Sequence, residues 1–164
     1  MRTMCHLSVI LGAAALLSQA SAGAQDVMPN VQVHGPSGDS AEPLQRSLDQ
    51  IIFTPTKGKT GIASARLAGN PAEPGLYVVM VKMALGAENP PHTHPDGRVT
   101  TVFRGKVLFG IGKAIDRTKA KIYEAGAFYY TPPNVPHYLI SMAPDTLYQE
   151  VGVGPSASNP VATK

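Results

Sequence analysis

Apolar residues in this chain recur at every second position or in short continuous patches, and almost nowhere at the 3.6-residue spacing of an amphipathic helix. Segments rich in Val, Ile, Tyr, Phe and Thr predict strands at residues 50–54, 62–67, 76–85, 99–103, 106–111, 121–123, 127–131, 137–142 and 146–153, with Gly, Pro and Asn clusters between them. Many short strands at regular spacing predict an all-β sandwich or barrel. The exception is 42–50, where the pattern allows about two turns of helix. Arg104-Gly105 marks a tight turn of the hairpin kind, because glycine reaches the positive φ such turns need. Stretches 25–43 and 154–164 are rich in Pro, Gly and Ser with little periodicity. The reading is one domain at 50–153, an irregular arm at 25–49 that includes the short helical stretch, and a flexible tail at 154–164.

The first 24 residues read differently. A basic start at Arg2, an apolar run over 7–17 and small residues over 18–24 have the form of a secretory signal peptide, with cleavage after Ala22 or Ala24. The run is shorter than the roughly 18 residues that span a bilayer, so the expectation is a periplasmic or secreted protein with no membrane segment after processing. Cys5 is the only cysteine and precedes the apolar run. The mature chain then has no disulfide and depends on an ordinary apolar core, which its length can supply. The net charge of +3 is carried by scattered Lys and Arg, and the densest stretch, 113–121, is interrupted by Asp116. That pattern excludes a nucleic-acid footprint.

Three histidines carry the candidate chemistry. His92 and His94 stand two apart in an extended segment, and a strand sends such a pair to one face. Pro90 and Pro91 hold the approach extended. His137 follows the rigid stretch 132–136 and opens a strand. Convergent neutral imidazoles suit a divalent transition metal such as Fe, Zn, Cu or Ni better than Mg or Ca.

The spacing around these histidines resembles the cupin superfamily in two motifs. In the first, five residues separate Gly86 from His92-Thr93-His94, Arg98 stands where the family has Glu, and six residues separate it from Gly105. In the second, five residues separate Gly126 from Pro132-Pro133-Asn134, and His137 and Ser141 follow at the family's spacing. Asn134 replaces a glycine and tolerates the same left-handed turn; Ser141 replaces an asparagine. The resemblance covers about residues 76–153 and extends to small exported bacterial cupins with a His-x-His-Pro-Asp-Glu-Arg string, in which this chain has Gly97 for Glu.

The resemblance implies a cupin-type jelly-roll barrel with one divalent metal, Fe, Zn, Mn, Cu or Ni, on His92, His94 and His137. The family's carboxylate ligand has no counterpart. Arg98 takes its place, stays charged, and should turn from a dication or meet an anion; holding a substrate carboxylate is its expected catalytic use. Asp96 and Glu88 are the substitute ligands considered, each with a solvated loop charge as its alternative. Tyr130 is expected to reach inward and offer a hydroxyl. Met80 and Met83 differ in strand parity, so they and Met142 read as packing and not as a copper site. His34 reads as a surface histidine of the arm.

Two functions lead. One is a metal-dependent dioxygenase or isomerase acting on a small molecule. The other is a non-catalytic periplasmic module that binds or senses a metal or small molecule; a barrel that has lost its metal and serves in association is a third. No Ser-His-Asp arrangement or mature cysteine suggests a nucleophile. Pairing of two copies through strands at the barrel edge is compatible with the family.

Overall fold

The computed structural model describes residues 46–162. The signal-like segment, His34 and nearly all of the arm lie outside the described residues. The strands are β1 (Thr54–Pro55), β2 (Ile62–Ala68), β3 (Gly75–Met83), β4 (Glu88–Thr93), β5 (Arg98–Arg104), β6 (Lys106–Ile111), β7 (Lys121–Glu124), β8 (Phe128–Thr131), β9 (His137–Ser141), β10 (Thr146–Gly154) and β11 (Asn159–Pro160). They form two antiparallel sheets, ordered β1-β2-β3-β10-β5-β8 and β11-β4-β9-β6-β7. The all-β jelly-roll expectation holds: the chain is a sandwich of these two sheets.

Period-two alternation builds the core. In β10, Tyr148 faces inward opposite Val81 of β3 and Val102 of β5. From the facing sheet, Val107, Phe109 and Leu139 complete a buried cluster with Ile62, Met83 and Tyr129. Burial of this apolar surface is the main drive for closing the sheets together. Met83 belongs to that cluster while Met80 sits at the opposite parity of β3, opposite Ala65 and Gln149. Met142 is exposed.

Several elements differ from the sequence reading. The helix expected at 42–50 is, among the described residues, one 3-10 turn, Leu48–Gln50, with no buried side chain to extend it. The strand expected at 50–54 shrinks to β1, which among the described residues pairs with β2 alone; Pro55 has no N–H to offer a ladder and suits this edge. Gly105 does turn the chain, at φ +76°, but β5 and β6 do not pair. The turn passes the chain from one sheet to the other, and Met142 N–H bonds the Lys106 carbonyl beyond it (2.9 Å). The tail expected at 154–164 to be irregular returns across the barrel, where β11 pairs with β4 through Asn159↔Thr93 and Pro160↔His92.

Strand β4 was not legible as a strand because Pro90 and Pro91 interrupt its pattern. They supply no N–H, and the β4–β9 ladder is irregular there, between the pairs Asn89↔Leu139 and His92↔His137. The consequence is functional. The irregularity sets His92 directly opposite His137, from strands 45 residues apart in sequence.

Candidate metal centre

All three histidines are buried, at 4%, 7% and 2% exposure for His92, His94 and His137. Their available ring nitrogens lie within 4.8 Å of one another, and the ring centroids are 4.3–5.3 Å apart. Each ring is oriented by the backbone. Nδ1–H of His92 donates to the Pro90 carbonyl (2.7 Å), that of His137 to the Val135 carbonyl (2.8 Å), and that of His94 to the Ala157 carbonyl (2.7 Å). A carbonyl only accepts, so Nδ1 must carry the proton and Nε2 presents its lone pair.

Local sequence explains two of these bonds. In both Pro90-Pro91-His92 and Val135-Pro136-His137 a proline stands between the accepting carbonyl and the histidine and fixes the backbone between them. Asn134, at φ +59°, makes the left-handed bend before the second of these stretches, as its place in the motif predicted. Its N–H bonds the His94 carbonyl (2.7 Å), tying the two motifs together.

Burial is the largest cause that disfavours the charged imidazoles, holding His92 down at about 3 and His94 at about 4; the His137 pKa is lowered for the same reason. The rings are therefore neutral at pH 7, as ligation requires. Phe109 lies 5.7 Å from His137, centroid to centroid, and stacks on Tyr129 at 4.2 Å, which closes the inner side with aromatic surface.

Arg98 points into the barrel, as its parity in β5 dictates, and is 5% exposed. It does not offer its guanidinium for a ligand. Nη1 bonds Glu150 (3.1 Å), and Nη2 bonds Asp96 (2.9 Å) and Ser156 (2.7 Å). Glu150 is an inward residue of β10, which the sequence reading missed; its place is plain only once β10 is seen between β3 and β5. Asp96 also accepts from the Tyr77 hydroxyl. Burial pushes the Asp96 carboxyl up, but hydrogen bonds from Ser156 and Tyr77 and the Arg98 charge outweigh it and leave Asp96 below the ordinary range.

Neither substitute ligand joins the histidines. Asp96 is spent on Arg98 and Tyr77, and Glu88 lies outside with Arg117 (2.9 Å), both side chains roughly half exposed. Tyr130 is likewise corrected. It is 58% exposed on the outer face of β8, over Gly97, where a Cβ would strike its hydroxyl. Tyr129 is the inward residue, one position away in a period-two strand, and among the described residues its buried hydroxyl has no hydrogen-bond partner. Arg98 Nε is also buried without one.

A cavity of about 390 Å³ opens beside His94, lined among others by Lys59, Asn89, Arg98, Tyr148 and Glu150. Asn89 accepts a hydrogen bond from Lys59 (2.6 Å) and sets its amide nitrogen 3.5 Å from His92 Nε2. The residues present fit a divalent transition metal: three buried, neutral, pre-oriented imidazoles with no carboxylate among them.

Comparison with known proteins agrees with the geometry. The cupin domain family model matches residues 79–147, a stretch that contains His92, His94 and His137, and the two-sheet sandwich is the cupin fold. Solved structures with the same fold include KdgF from Halomonas sp. (19% identity, 65% of this chain and 89% of that one, TM-score 0.54) and an RmlC-like cupin from Shewanella frigidimarina (20%, 69% and 93%, 0.54). The polyketide cyclase RemF from Streptomyces resistomycificus is a third (13%, 73% and 86%, 0.61). A search of curated proteins finds no match.

Proposed function

We propose that this protein is an exported metal-dependent cupin enzyme, with His92, His94 and His137 holding one divalent transition metal and dioxygenase or isomerase chemistry on a small molecule. The observation that carries the reading is that all three Nδ1–H groups are committed to backbone carbonyls, which leaves three Nε2 lone pairs at one buried point. A ligand set without a carboxylate leaves a bound dication its full charge, and such an ion supplies Lewis acidity and open coordination positions. The chain's own contribution is a buried aromatic wall at Phe109 and Tyr129 and a cavity beside His94 that presents Lys59, Asn89 and Arg98.

A non-catalytic binding or sensing role is the second reading, favoured by one observation: Glu150, the carboxylate on the cavity wall, is engaged by Arg98. Elemental analysis of protein purified from its native host, followed by oxygen uptake and product analysis with a panel of small acids, thiols and diols, separates the readings. Bound metal with turnover supports the enzyme, bound metal without turnover supports the binder, and no metal contradicts both.

A further inference from the structure

The cavity beside the histidines holds two cations whose situations differ. Arg98 is neutralised by two carboxylates. Lys59 lies in the same cavity wall, and no carboxylate among the described residues comes within ion-pair distance of it. Its position is built. Lys59 sits in the turn between β1 and β2, where its N–H bonds the Thr56 carbonyl (3.1 Å), Thr56 N–H bonds that of Ile62 (2.9 Å), and Ala84 N–H holds Gly61 (2.8 Å). Its ammonium donates to Asn89 Oδ1 at 2.6 Å. An ammonium has three N–H donors, so two remain after that bond.

The electrostatics favour an anion here. The charges of Lys59 and Arg98 are matched by those of Glu150 in the cavity wall and of Asp96 behind Arg98, so a dication on the histidines leaves a net double positive charge beside the cavity. Lys59 and the His92 nitrogen are separated by a single amide, that of Asn89. One short ligand can therefore touch both ends.

We infer that Lys59 and Asn89 form an anion subsite of the metal centre, and that the ligand of this cavity is a small organic acid with one carboxylate on the Lys59 ammonium and its other oxygen donors toward the three histidines. The assignment deepens the metal-centre reading and rests on it for the inner end of the ligand. It transfers to Lys59 the role that Arg98, already paired, does not fill.

The test uses malonate as probe. Zinc-loaded full chain, Lys59→Met and Lys59→Arg are titrated by calorimetry, with zinc occupancy measured on each and inorganic phosphate titrated in parallel. Loss of a charge-assisted hydrogen bond predicts malonate affinity at least roughly tenfold weaker in Lys59→Met, retained to within about threefold in Lys59→Arg because the charge is kept. Full zinc occupancy with unchanged malonate affinity in Lys59→Met overturns the assignment, as does phosphate binding more tightly than malonate. Failure of all three proteins to hold zinc contradicts instead the three-histidine reading. Malonate binding that still depends on Lys59 in those zinc-free proteins upholds the subsite, and its absence there overturns it.

Discussion

At the scale of the residue, the site is a matter of which nitrogen carries a proton. A carbonyl 2.7–2.8 Å from each Nδ1 settles it for all three rings, and burial keeps the rings uncharged. These depressed pKa values also weigh on folding. The unfolded chain takes up protons near the ordinary histidine value of 6.5 while the folded chain resists until about 4 for His94 and about 3 for His92. Their contribution to stability is thus full above about 6.5 and is lost as pH falls toward 4 and below. Metal-free protein in chelator should show a thermal midpoint that drops steadily between pH 6.5 and 4, and His92→Asn should flatten the drop; a midpoint constant over that range contradicts the assignment. The histidines were legible in the sequence because a His-x-His pair and a proline-led third histidine are local patterns. Tyr130 was misread because a strand's two faces are one residue apart, and nothing local says which of Tyr129 and Tyr130 faces in. Lys59 and Glu150 carried no local signal at all, since each reaches the cavity only through the pairing of strands far apart in sequence.

At the scale of the element, β10 and the tail organise what surrounds the three histidines. In β10, Tyr148 packs the core, Glu150 engages Arg98, and Gly152 leaves room for Asp96 and the Tyr77 hydroxyl, which a Cβ there would strike. This single alternating strand makes Arg98 the centre of a buried ionic network at the position where the family has a metal-binding carboxylate. Arg98→Met strands two carboxylates in a poorly solvated place and should cost about 3–5 kcal/mol in denaturant unfolding. A loss below about 1 kcal/mol would show that the network is dispensable. The tail was read as irregular from its Pro, Gly and Ser content, and composition is blind to the bonds that order it: Ser156 to Arg98, Ala157 to His94, and the short pairing of β11 with β4. Deleting residues 156–164 removes the carbonyl that fixes the His94 ring. Loss of such an outer partner typically weakens metal binding 10–100-fold, to be read by competition with a chromophoric chelator. Unchanged affinity would mean that His94 holds its orientation without the tail.

At the scale of the whole molecule, two sheets bring distant segments to one point, and the alternating pattern predicted nearly every strand of them. The alternating pattern alone left sandwich and barrel open, and it was the resemblance of two motifs to the cupin superfamily that implied the jelly roll. Strand order was not legible. Arg104-Gly105 looked like a hairpin turn and instead passes the chain between sheets, a distinction that depends on partners elsewhere in the chain. The sandwich also explains why the histidines stay neutral, for a pair on one strand of an open sheet would remain in water. The most direct measurement is the metal content of the purified chain after exposure to zinc and desalting, compared with that of His92→Ala and His137→Ala. One zinc per chain, falling to less than a tenth in each variant while the circular dichroism stays that of a β protein, is the predicted result. Equal zinc in all three proteins, or none in the unaltered chain, would contradict it.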